Sequence, residues 1–97
     1  ESPMITADKI ISMVAKKYDI AKDDVLSKKR DQNIAYARNV SIYIIRKVTN
    51  MSFPEIGKIF GRDHSTIMSS NKVIQEKIAA NHLAELEINE IIRELSE

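Results

Sequence analysis

Ser52-Phe53-Pro54-Glu55-Ile56-Gly57-Lys58-Ile59-Phe60-Gly61-Arg62-Asp63-His64-Ser65-Thr66-Ile67 reads as a short helix, a tight turn and the start of a second helix. Ser52 with Glu55 three positions on makes a capping box, in which each side chain satisfies an orphan backbone N–H. Pro54 falls in the first turn, where its missing N–H costs little. The helix is predicted to run to about Phe60, where Gly61 breaks it. Asp63 caps the next helix, predicted from His64 to about Ile78. Phe53, Ile56, Phe60 and Ile67 are placed to form a small core between the two helices. Gly57 lies where they should cross, and a side chain there would hold them apart. Gly61 supplies the permissive backbone of the turn. This is the logic of a helix-turn-helix, although spacing alone fits an ordinary helical hairpin equally well.

The rest of the chain supports a helical domain. Its 97 residues include only two glycines and two prolines. An all-β domain needs turn residues every 8–12 positions or so, and this chain cannot supply them. With 43% hydrophobic and 30% charged residues it suits one globular domain over 1–97 and not a disordered tail. A first helix is predicted over about 6–18, capped by Thr6, with Ile10, Met13, Val14 and Tyr18 on its inner face. Residues 19–24 form a polar corner, and Val25 and Leu26 a short helical plug. After the basic cluster Ser27-Lys28-Lys29-Arg30, Asp31 is expected to cap a long helix over about 32–49. Its buried stripe is read as Ile34, Ala37, Ser41, Ile44 or Ile45, and Val48, with Arg38, Arg46 and Lys47 on other sides. A last helix of about 83–95 carries Leu83, Leu86, Ile88, Ile91, Ile92 and Leu95, with Glu85, Glu87, Glu90 and Glu94 outside. The expectation is an all-α fold of about six helices.

Several chemistries are excluded early. There is no cysteine, and His64 and His82 stand far apart with no ligand-spaced partner, so a metal site is not expected. Asp63-His64-Ser65 is not a catalytic triad: neighbours one or two apart on a helix point in different directions. Nothing near Gly61 has the Gly-Lys-Ser/Thr ending of a phosphate-binding loop, so no ATP site and no enzyme activity are expected of this chain. No apolar run approaches about 18 residues and no signal layout begins the chain, which is read as cytoplasmic and without membrane contact. It starts on Glu1 and is read as a piece of something longer.

The second helix of the motif opens on short polar groups. In a helix-turn-helix these positions meet base edges in the major groove. Asp63 can accept from a cytosine amino group, His64 can donate to a purine acceptor, and Ser65 or Thr66 can contact a base or a phosphate. Taken singly, Asp63 is first a helix cap and His64 an ordinary solvated residue; together they favour base reading. The net charge of +1 hides a segregation. Residues 28–72 hold Lys28, Lys29, Arg30, Arg38, Arg46, Lys47, Lys58, Arg62 and Lys72 against Asp31, Glu55 and Asp63, a net +6. The flanking segments come to −1 over 1–27 and −4 over 73–97. A basic centre around the reading helix is the electrostatic footprint of phosphate contact, for which Lys28, Lys29, Lys58, Arg62 and Lys72 are candidates.

Gly61-Arg62-Asp63-His64-Ser65-Thr66-Ile67 resembles the signature of the C-terminal DNA-binding domain of the DnaA family, the bacterial chromosomal replication initiators. The resemblance extends to Ser27-Lys28-Lys29-Arg30, Ala35 to Arg38, Ser52 to Gly57 and Ile91-Ile92-Arg93-Glu94-Leu95. It implies a six-helix, Trp-repressor-like domain that docks on short asymmetric boxes of double-stranded DNA at the replication origin, in initiation and its regulation. By position it implies Arg30 as a minor-groove reader, Asp63, His64 and Ser65 as major-groove readers, and Pro54 beside a thymine methyl. Arg38, Arg46, Thr66 and Ser69 match backbone-contacting positions. The family's ATP- and Mg-binding AAA+ engine, and the domains through which initiator copies assemble, lie upstream of such a domain; this piece is expected to be a monomer without a cofactor of its own. The chain has one glycine, Gly61, where the family often has two, so a tighter turn is expected. It has Tyr36-Ala37-Arg38 where many members have Arg-Pro-Arg, and Asp31-Gln32-Asn33 is less basic than in some. Two other readings remain: a helix-turn-helix transcriptional repressor, and a helical protein-interaction module with a basic face.

Overall fold

The structure, a computed structural model, describes residues 6–97. Among these residues the chain forms six helices and no strand: α1 (Ala7–Lys17), α2 (Lys22–Val25), α3 (Gln32–Val48), α4 (Phe53–Phe60), α5 (His64–Ala80) and α6 (His82–Leu95). The expected all-α fold with a helix-turn-helix, here α4 and α5, is what the chain adopts.

Helix α1 starts where Thr6 Oγ1 accepts from Lys9 N–H at 3.2 Å. It ends as Asp19 takes a left-handed φ of 56° and Ile20 N–H reaches back to Ala15 O at 2.9 Å. That six-to-one bond satisfies a carbonyl the helix would otherwise leave open. The chain can then turn sharply into α2, whose Val25 is completely buried.

Helix α3 is the centre of the molecule, and α1, α2, α4, α5 and α6 all pack on it. Ile34, Ala37, Arg38, Val40, Ser41, Ile42, Ile44 and Ile45 are buried. The single stripe expected from the sequence is therefore too narrow, because five neighbouring helices bury more than one face and leave open only the side of Gln32, Tyr36, Asn39, Tyr43 and Lys47. Ser41 survives in this core because its hydroxyl donates to Ala37 O at 2.9 Å. Arg38 corrects a second expectation. It does not project from α3 but lies only 4% exposed, with Nε donating to Val25 O at 2.8 Å and Nη2 to Asp24 O at 3.3 Å. Asp31 holds the N-cap position of α3, but no side-chain cap bond forms.

The capping box of α4 is complete. Ser52 N–H donates to Glu55 Oε1 at 2.9 Å and Glu55 N–H to Ser52 Oγ at 3.2 Å. Ile56, Phe60 and Ile67 are buried in the crook between α4 and α5, and Phe53 closes it from the half-buried edge. Gly61 has φ +64° and would strain any L side chain. The reason for Gly57 differs slightly from the expectation. A Cβ there would meet the Arg62 carbonyl oxygen at 2.4 Å, so the obstacle is the turn itself and not the body of α5.

One residue, Asn81, joins α5 to α6, and its Oδ1 accepts from Ala84 N–H at 3.1 Å. Ala84, Ile88, Ile91 and Leu95 make the buried stripe of α6. Leu83 and Leu86, expected beside them, fall off that stripe and are 77% and 51% exposed. Glu87, expected outside, turns inward and accepts from Tyr18 Oη at 2.6 Å, tying α6 to α1. Burial and that bond to Glu87 push the Tyr18 hydroxyl well above its ordinary range.

Gly57→Ala should cost about 1–3 kcal/mol, since a backbone carbonyl has to move. Gly61→Ala should cost about 1–2 kcal/mol for the left-handed backbone, and Ser52→Ala about 1 kcal/mol for the lost cap. Urea unfolding of each variant measures these losses; a neutral Gly57→Ala would show that the turn is not as tight as described.

Candidate nucleic-acid interface

Helix α5 begins on Asp63, whose Oδ1 accepts from Thr66 N–H at 2.8 Å. That bond holds the Asp63 carboxylate below the ordinary range and leaves its other oxygen free for a second donor. Asp63, His64, Ser65 and Thr66 are all exposed, and Ser69 and Lys72 follow on the outer side of the same helix. Its inner side is Ile67, Asn71 and Ile74. The first turn of α5 therefore offers only short polar groups, aimed outward from a helix whose other side is anchored. Pro54 and Lys58 are exposed on α4.

Met68 was not among the residues expected at this face, yet it is 48% exposed. It stands three positions after Ser65 and four after His64, so it shares their side of the helix. The available signal was an apolar residue lying off the Ile67–Ile74 stripe.

Beside this turn lies a hollow of about 290 Å³ lined by Lys28, Lys29, Arg30, Ala35, Arg38, Asn39 and Arg62. Five of its seven lining residues are cationic and none is acidic, so its field favours an anion. Its members are held differently. Arg30 and Lys28 are exposed, and Lys28 Nζ donates to the carbonyl of Gly61. Lys29 Nζ pairs with Asp24 Oδ1 at 2.8 Å, which raises its pKa above the ordinary lysine value. Ser27 Oγ donates to Asp24 O at 2.6 Å and accepts from Lys29 N–H at 3.1 Å, fixing the loop. Arg62 is half-buried, with Nη2 on Ser27 O at 3.2 Å. Burial, and then the neighbouring Arg62 charge, lower the pKa of Arg38 from the ordinary guanidinium value.

Arg46 belongs to a second hollow, of about 300 Å³, with Tyr43, Lys47, Phe53, Asn71 and Gln75. Its guanidinium sits 4.2 Å from the Phe53 ring centroid, and Nη1 donates to Met51 O at 2.9 Å. Stacking and the bond to a backbone carbonyl hold a long side chain in one place. This hollow too has cations and no carboxylate. The structure thus groups Lys28, Lys29, Arg30, Arg38 and Arg62 in one place, sets Asp63, His64, Ser65 and Thr66 next to it, and keeps Arg46 apart. Tyr36 packs edge-on against Tyr18 with centroids 5.7 Å apart. Among the described residues, no group of three or more His, Asp or Glu side chains is placed to hold a metal ion, and no helix is long and apolar enough to cross a membrane.

The fold and this surface define a helix-turn-helix domain of the DNA-binding kind. Residues 7–74 match the family model of the bacterial DnaA protein helix-turn-helix, and the chain belongs to that family. It is 38% identical over 87 residues to the chromosomal replication initiator protein DnaA of Thermoanaerobacter sp. (strain X514), covering 90% of this chain and 20% of that protein. It is 39% identical over 87 residues to the DnaA protein of Caldanaerobacter subterraneus subsp. tengcongensis, covering 84% of this chain and 20% of that one. It therefore spans about one fifth of the length of the curated relatives it matches. A crystal structure described as a DNA replication initiation factor superposes with a TM-score of 0.78 at 28% identity, over 92% of this chain and 29% of the other.

Acid should loosen the start of α5. The Asp63 pKa is depressed in the folded state, so its stabilisation is complete above the unfolded value and is lost as pH falls through the folded one. Glu55 behaves in the same way through its bond from the Ser52 N–H. Asp63→Asn keeps a capping oxygen. Urea midpoints measured from neutral pH to below the ordinary carboxylate range should therefore fall less steeply for this variant than for the parent. Identical acid profiles would remove the cap from this account.

Proposed function

We propose that this domain docks a replication initiator on double-stranded DNA, at asymmetric origin boxes. The first turn of α5 enters the major groove, and the loop carrying Arg30 enters the adjacent minor groove. The observation that carries this reading is the bond between Lys28 and Gly61, which brings the Arg30 loop against the turn that launches α5. Two stretches about 33 residues apart in sequence are thereby joined into one edge, as a protein reading neighbouring grooves requires.

The roles follow from chemistry and placement. Arg30, with a planar fork and free exposure, reads the narrow minor groove. Asp63 accepts from a cytosine amino group with the oxygen its cap leaves over. His64 and Ser65 contact base edges, and Pro54 packs beside a thymine methyl. Lys58, Thr66, Ser69 and Lys72 face phosphates from α4 and α5, and Arg46 does so from its stacked position on Phe53. Lys29 reaches a phosphate only by leaving Asp24, which weakens its contribution. Arg38 shapes the basic hollow from within. Base reading of this kind needs no cofactor. ATP and Mg belong, in this reading, to a segment of the initiator upstream of the domain, as do the contacts between copies; the domain itself docks as a cytoplasmic monomer.

One observation favours a second reading. Exposed Leu83 and Leu86 on α6 could serve a dimeric repressor, which would prefer a palindromic target.

Arg30→Ala and His64→Ala should each cost about 1–3 kcal/mol on a duplex carrying an origin box of the family and should relax specificity. Arg46→Ala should weaken box and scrambled duplexes alike and reduce the salt slope by about 1. Anisotropy titrations at several salt concentrations measure both quantities. Unchanged affinities for His64→Ala on box and scrambled DNA would overturn the placement of α5.

A further inference from the structure

The loop that carries Arg30 and the turn that launches α5 are joined reciprocally. Arg62 in the turn donates from Nη2 to the Ser27 carbonyl at 3.2 Å. Lys28 in the loop donates from Nζ to the Gly61 carbonyl. Each segment thus lends a cationic side chain to the other's backbone. The Arg62 Nε is buried and has no partner among the described residues, so this atom of the half-buried side chain is taken from water at a cost in desolvation. It also lies close enough to the buried Arg38 to lower that residue's pKa. Two guanidiniums and an ammonium are therefore gathered at one seam without a carboxylate on its lining. A seam built only for stability would be better served by apolar or oppositely charged groups.

We propose that Arg62 and Lys28 are positioning residues: their clasp sets the distance between the Arg30 loop and the reading helix, so that the two base-reading elements engage DNA as one unit. This rests on the DNA-reading function proposed above and goes beyond the expectation that both residues contact phosphates. A loop free to move would have to be ordered on binding, at the expense of affinity. The clasp orders it beforehand. It also makes the minor-groove contact conditional on the major-groove element, because displacing the turn releases Ser27 and Lys28 together.

The test is a double-mutant cycle. Arg62→Met, Lys28→Met and Arg30→Ala are made singly, and each of the first two is combined with Arg30→Ala. Affinities are measured at one salt concentration on a duplex carrying an origin box of the family and on the same duplex scrambled. Unfolding midpoints are recorded alongside. The clasp predicts that Arg62→Met and Lys28→Met each weaken box binding about tenfold, within the range of contact coupling energies. Scrambled binding should fall no more than about threefold, and neither substitution should weaken box binding further once Arg30 is alanine. Equal losses on box and scrambled DNA, undiminished in the Arg30→Ala background, would make both residues plain phosphate contacts and overturn the proposal. Unaltered box binding would overturn it too. Should Arg62→Met unfold the domain, Lys28→Met, at an exposed lysine, decides the question alone. Failure of the underlying reading looks different: the parent protein itself would then not distinguish box from scrambled DNA.

Discussion

The carbonyl oxygen of Arg62 stands only 2.4 Å from where a Cβ on residue 57 would be. Much of the molecule's use of α5 depends on that close approach. The Arg62 N–H closes onto Gly57 O at 2.9 Å, Gly61 takes the left-handed backbone between them, and Asp63 is left in extended geometry to cap α5. A turn so short permits little freedom in the angle between α4 and α5. It also throws the Arg62 side chain back towards Ser27, and the Gly61 carbonyl outward to meet Lys28. The direction of α5 and the position of the Arg30 loop therefore have one origin.

Charge is arranged around that turn. The net +1 of the chain is the small residue of a strongly basic centre and acidic ends. In three dimensions seven of the nine cations of that centre line two hollows, one with Arg62 and the other with Arg46, while Lys58 and Lys72 stand exposed outside them. The acids of α6 have other uses: Glu87 anchors α1 through Tyr18, and Glu85 pairs with His82 at 3.2 Å. Like charges gathered at a seam weaken a free protein and strengthen its hold on a polyanion, so the arrangement makes sense as one half of an interface.

What could be read from the sequence was what local rules decide. The capping box of Ser52 and Glu55, the break at Gly61 and the cap at Asp63 are set by residues within four positions of one another, and all three form. The polar opening of α5 was legible for the same reason. Long-range packing was not legible. A 3.6-residue period marks one buried face, and it could not show that α3 is enclosed by five neighbours or that Arg38 would be drawn inside to satisfy the carbonyls of Asp24 and Val25. Glu87 looked like one more solvated glutamate until Tyr18 was placed opposite it. Leu83 and Leu86 looked like core because apolarity was read without the stripe of Ala84, Ile88, Ile91 and Leu95 that wins the inner face. The bonds that Lys28 and Arg62 make to the carbonyls of Gly61 and Ser27 were not legible either, because composition reports charge and not direction.

The central claim is that α5 and the Arg30 loop together read one directional DNA sequence. Selection of bound duplexes from a random pool, using this domain as the only protein, tests it most directly. The account predicts a single asymmetric motif, with positions on one side lost when Arg30 is alanine and positions on the other lost when His64 is alanine. A palindromic motif, or no enrichment over the starting pool, would contradict it.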